Sequence, residues 1–71
     1  MKYLVIKSTK TAEGDLRTPI ITAYDTKDSA DQAYFTACAE ASVTGLGMYA
    51  VRMVTDELGE VQNRTFIKNN L

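Results

Sequence analysis

The sequence predicts an α+β fold: a two-layer ββαββ domain, a four-stranded antiparallel sheet in the order 2-1-3-4 with one helix packed on one face. Three observations predict it. Runs rich in β-branched and aromatic residues occur on both sides of a single helical pattern. That pattern is one stripe of small apolar residues at steps of three and four. The single proline falls inside an extended run, where it specifies an edge.

Each element has its own local signal. Lys2 to Ser8, KYLVIKS, reads as strand one. Thr9 to Asp15 is a polar loop with Gly14 near its tip. Leu16 to Tyr24 reads as strand two, and Pro19, which has no amide hydrogen to donate, places it at a sheet edge. Asp25 and Thr26 are both side chains that accept from the orphan amides of a first helical turn. Asp28 and Asp31 follow, where carboxylates favour the positive end of the helix. Ala30, Ala33, Tyr34, Ala37, Cys38 and Ala41 form one face of a helix from about Lys27 to Val43, and Gly45 stands where a left-handed cap is expected. Met48 to Thr55 is strand three, Asp56 to Glu60 a turn, and Val61 to Lys68 strand four.

Connection rules then select the topology. A helix joins strands two and three, so these run parallel, and strand one lies between them, antiparallel to both. A tight turn at Leu58-Gly59 sets Glu57 opposite Glu60, Met53 opposite Arg64 and Val51 opposite Phe66. The chain of 71 residues, spanning 1-71, is one domain.

This register sorts the side chains onto two faces. Leu4, Ile6, Met48, Ala50, Arg52, Val54, Val61, Asn63, Thr65 and Ile67 share one; Tyr3, Val5, Lys7, Tyr49, Val51, Met53, Thr55, Gln62, Arg64, Phe66 and Lys68 share the other. An alanine-rich helix approaches a sheet closely, and the aliphatic set suits the surface beneath it. The second face is then expected to be open. Arg52 has to snorkel past the helix edge or pair with Glu40. The candidate interface or binding face is Tyr3, Val5, Tyr49, Val51, Met53, Arg64, Phe66 and Lys68. Apolar patches of that extent mark interaction surfaces. Aromatic residues, Met and Arg are enriched at protein interfaces. The same mixture of rings and cations suits stacking of single-stranded nucleic acid, but a net charge of −1 and a pI near 5.2 weigh against that partner.

Size and composition narrow the functional classes. A domain this small buries only about 60% of the surface of its unfolded chain, so its stability is marginal unless something adds to it. With one cysteine and no histidine, neither an internal disulfide nor an ordinary zinc site can be built. Self-association is the supplement that is left: a homo-oligomer, a dimer in the first instance, joined through the open sheet face or an edge strand. Cys38 lies on the apolar helix stripe with no histidine to activate it, and reads as a core residue. Asp25, Asp28 and Asp31 read as helix-capping carboxylates, and Asp56, Glu57 and Glu60 as a solvated acidic knob. No catalytic residues, metal ligands or cofactors are assigned, and the chain is read as a non-enzyme. Only Tyr3 to Ile6 are apolar before Lys7, too short for a signal sequence, and no run reaches membrane-spanning length. A cytoplasmic protein with no membrane partner is expected.

The run Ser8 to Ser42, with Tyr24-Asp25-Thr26 opening the helix, resembles small uncharacterised proteins encoded by phages and prophages of Gram-positive gut bacteria. The resemblance covers about half of the chain and carries no catalytic motif. It implies an accessory protein of a mobile element, such as an inhibitor of host defence or a small assembly component, acting on a host protein in the host cytoplasm. The sequence reading is therefore a non-enzymatic, self-associating binding module. Its alternatives are a single-stranded nucleic-acid binder or a nucleotide or small-molecule binder with a pocket between subunits.

Overall fold

The computed structural model describes residues 2–55 and 64–71. The described elements are β1 (Tyr3–Lys10), β2 (Ile20–Tyr24), α1 (Lys27–Ser42), β3 (Met48–Thr55) and β4 (Arg64–Asn69). They form one four-stranded sheet, order β2-β1-β3-β4, with every pairing antiparallel and α1 packed against it. The α+β class, the strand order and the helix are those expected. The turn at Asp56–Glu60 and the start of the fourth run, Val61–Asn63, lie outside the described residues.

The register of β3 on β4 is also the expected one, with Met53 opposite Arg64 and Val51 opposite Phe66. β1 runs on to Lys10 rather than stopping at Ser8, because β3 continues beside it to the Lys10–Met48 pair. β2 is shorter than expected. Its ladder covers Ile20 to Tyr24, and beyond it Leu16 makes only an isolated bridge to Lys10. Three residues of the β2 side, Arg17 to Pro19, stand opposite Ser8 and Thr9, so one residue is in excess there. Pro19 has no N–H to donate, and its ring restricts Thr18, which places the break at this point.

Helix α1 begins as its sequence dictates. The Thr26 side chain accepts from the Ser29 amide at 3.2 Å, with Asp28 in the first turn. The other end corrects the expectation of a Gly45 cap. The last residues close with tight backbone bonds, Val43 N–H to Glu40 O at 3.3 Å and Thr44 N–H to Ala41 O at 3.2 Å. The Lys68 ammonium donates to Ser42 O at 3.2 Å, and the Asn70 amide donates to Thr44 O at 3.2 Å and Leu46 O at 2.6 Å. The Lys68 ammonium thus serves the last helical carbonyl from a distant strand, and Gly45 has no positive φ. Among the described residues the glycine with positive φ is Gly14, at 95°.

The core shows that the two faces of the sheet were assigned the wrong way round. Val5, Val51 and Met53 are 1%, 0% and 0% exposed and lie with Ala30, Tyr34, Ala37 and Ala41 of the helix. Tyr3, Tyr24, Tyr49 and Phe66 pack around them. The bulky set, not the aliphatic set, is under the helix. The physical reason is complementarity of size: a stripe of alanines leaves depth, and rings and methionine fill it at native density. Each such buried side chain contributes roughly 1.5–3 kcal/mol. Arg52 is exposed on the opposite face, so it neither snorkels past the helix nor pairs with Glu40. A cation at that position cannot sit beneath an apolar helix without a large desolvation cost.

Candidate functional site

The predicted site residues come together on one face, but α1 covers that face. Val5, Val51 and Met53 are its buried floor, and Tyr3, Tyr49 and Phe66 are half-buried at its sides. The cations are engaged within the fold. Arg64 Nη1 lies 3.3 Å from Asp31 Oδ1, and its guanidinium carbon is 5.8 Å and 5.3 Å from the ring centroids of Tyr34 and Phe35. Those rings meet edge to face, 5.3 Å apart. Asp31 also accepts from Lys27 at 3.1 Å. Lys68 serves the helix end, as described above. The rings and cations named for that face thus lie on the helix side of the sheet and pack within the fold.

Burial shows in the titration of two phenols on this side. Burial pushes Tyr49 above the ordinary tyrosine range, and Glu40, whose Oε2 is 3.5 Å from the Tyr49 hydroxyl, raises it further. Burial likewise raises Tyr34, assisted by a hydrogen bond with the Cys38 side chain. At the surface, the ammonium of Lys2 bonds to Asp25 and holds its carboxyl below the usual range.

The uncovered face is the candidate site. Strand alternation places on it every residue between those under the helix. Register aligns them in rows: Ala23, Leu4 and Val54; Ile21, Ile6, Arg52 and Thr65; Ser8, Ala50 and Ile67; Lys10, Met48 and Asn69. Ile21 and Ile67 are 62% and 59% exposed, and Leu4, Ile6, Ala50 and Val54 are half-buried. Among the described residues no element covers this face. Sequence reasoning missed this set because it put the helix there. The signal that could have found it was Arg52, a cation in the middle of a central strand.

On the helix side, α1 leans over β1 and β3 and leaves a cleft beside β2. It holds about 500 Å³ and is lined by Lys7, Tyr24, Gln32, Ala33, Ala37 and Glu40, among others. A neighbouring hollow of about 380 Å³ shares Lys7 and is bounded by Arg17, Ile20 and Tyr49. Among the described residues no group of three or more Cys, Asp or Glu side chains is placed to hold a metal ion. Nor is any described helix long and apolar enough to cross a membrane.

The described residues form a two-layer α+β fold whose uncovered sheet face carries a cluster of apolar residues among polar ones. Comparison with protein families, curated proteins and solved structures finds no match for the chain.

Proposed function

We propose that this chain is a non-enzymatic binding module that self-associates, and that a second copy packs on the uncovered sheet face. The observation that carries this reading is the exposure of Ile21 and Ile67, 62% and 59%, on a face whose other residues include Leu4, Ile6, Ala50 and Val54. Four strands at ~4.8 Å spacing and about seven residues at ~3.3 Å give a footprint of roughly 450 Å² before side-chain relief is added. A standard interface takes about 800 Å² from each partner. The face therefore supplies a large part of one, and sheets stack this way about 10 Å apart. Arg52 stands one strand in from the β4 edge, so its stem covers apolar surface while its guanidinium reaches water at the rim.

Sedimentation velocity at micromolar concentration tests the reading. The wild type runs heavier than one chain, and Ile67→Asp lowers the assembled mass while the circular dichroism stays native. A wild type that is folded and sediments as a single chain overturns it. The narrower role, a phage accessory protein acting on a host protein in the cytoplasm, is supported by the Ser8–Ser42 resemblance alone.

A further inference from the structure

The sheet has two edges, β2 and β4, and they differ in chemistry. β4 carries Arg64 and Lys68, and charged side chains discourage a further strand from adding there. β2 is IITAY, uncharged over its five residues, with Ile20, Ile21, Thr22 and Ala23 all exposed. Its side away from β1 presents backbone N–H and C=O groups that no described strand pairs. An uncharged, exposed edge of this kind is a template for another strand. The helix leaves room for one, since the cleft of about 500 Å³ opens between α1 and Tyr24 at the end of β2.

We propose that two copies join β2 to β2, antiparallel, about a two-fold axis through Thr22, making one continuous sheet from two four-stranded ones. This rests on the self-association reading and adds a second, different contact to it. The strand is self-complementary about that axis. Ile20 comes opposite Tyr24, Ile21 opposite Ala23, and Thr22 opposite its own copy. Aromatic with β-branched and Thr with Thr are favourable cross-strand pairs. Ile20, Thr22 and Tyr24 pair with Lys7, Val5 and Tyr3, so they share the helix side of the sheet. Ile20 of the second copy therefore arrives beside Tyr24, at the mouth of the cleft.

The flanks agree with this pairing. Pro19 falls opposite Asp25 of the second copy, just outside the ladder, where its missing amide is not needed. The axis is perpendicular to the sheet, so both helices stay on one side and both uncovered faces on the other. The edge contact and the face contact then use separate surfaces. Two different two-fold contacts close into a four-chain assembly when their axes cross at right angles.

The test is a cysteine on the axis. In a Cys38→Ala background, Thr22→Cys sets two thiols across the proposed pair, within the Cα separation of about 4.4–6.8 Å that a disulfide bridges. Mild oxidation is expected to give covalent dimer as the main product, while a control Ala39→Cys chain, altered on the outer surface of the helix, forms no covalent dimer. Thr22→Lys, which sets two ammonium groups against each other on the axis, is expected to cut a four-chain assembly to two chains. Ile67→Asp is expected to do the same by removing the face contact while leaving the Thr22→Cys cross-link intact. If wild type assembles but Thr22→Cys links no better than the control, and Thr22→Lys leaves the mass unchanged, the edge pairing is overturned and the face reading stands. A wild type that sediments as one chain overturns both.

Discussion

Asp31 on the helix and Arg64 on β4 face each other at 3.3 Å, and the two contacting atoms are shut off from solvent. The pair ties α1 to an edge strand, with the guanidinium lying 5.3 Å from the centre of the Phe35 ring. Arg64→Ala is expected to destabilise the fold by about 1–2 kcal/mol, combining a partly exposed ion pair with cation–π contacts of ~0.5–1 kcal/mol each. Arg64→Lys keeps the charge but loses the guanidinium's contact with the rings, and should recover only part of the loss. Urea midpoints at unchanged slope measure both.

The placement of the two faces can be checked by a pair of truncations. Met53 is fully buried under the helix, and Met53→Ala is expected to cost about 2–5 kcal/mol. Ile67 is exposed on the other face, and in dilute, unassembled protein Ile67→Ala should change stability by less than about 0.5 kcal/mol. Equal losses at the two positions would contradict the faces described here.

Two glycines near the α1–β3 connection make opposite predictions. A Cβ on Gly47 would lie 2.2 Å from the Thr11 carbonyl oxygen and 2.9 Å from the Leu71 side chain. Backbone cannot withdraw as a flexible side chain can, so Gly47→Ala is expected to cost about 1–3 kcal/mol. Gly45 meets nothing within 4 Å and has no positive φ. Gly45→Ala should be neutral, or stabilising by about 0.4–1 kcal/mol through the unfolded chain. Thermal unfolding of the two variants distinguishes them.

The pH dependence follows from three side chains. Tyr49 and Tyr34 titrate above their unfolded range, chiefly because burial disfavours the phenolate. The folded state holds these protons more tightly, so their contribution is complete below the unfolded pKa, about 10. It is lost as pH rises through that value towards the folded one. Tyr49→Phe is expected to flatten this alkaline loss in denaturation measured from neutral to strongly alkaline pH. Asp25 behaves in the opposite sense. Its lowered value, set by the hydrogen bond and charge of Lys2, gives a contribution present above the unfolded carboxylate pKa and lost as pH falls through the folded one. Asp25→Asn should remove that small acid limb.

Most of the architecture was legible because local chemistry and global topology agree. Pro19 marked an edge, Thr26 marked a helix start, and the Met53–Arg64 register followed from one turn. The site was less legible, since a strand with apolar residues on both sides does not say which side the helix takes. Shape decided that: Tyr34 and the alanines of α1 need the volume of Met53, Tyr49 and Phe66 rather than a flat aliphatic layer. Arg52 carried the information, but a long side chain near a helix edge can be rationalised on either face. The Gly45 cap failed for a different reason. The donor to the last helical carbonyl, Lys68, lies more than twenty positions further along the chain.

Asn70 and Leu71 have a consequence for how the protein is made. The Asn70 amide group holds the carbonyls of Thr44 and Leu46, its backbone N–H donates to Gly47 O at 2.7 Å, and the Leu71 side chain reaches Gly14 and Gly47. The loop after β1 and the connection after α1 therefore share a clasp that is synthesised after both. The central strand β1 likewise waits for β3, since Tyr3 pairs with Thr55. The clasp cannot close before Asn70 is made, nor the β1–β3 pairing before Thr55, so Val5 and its neighbours wait for β3 before they gain their native cover.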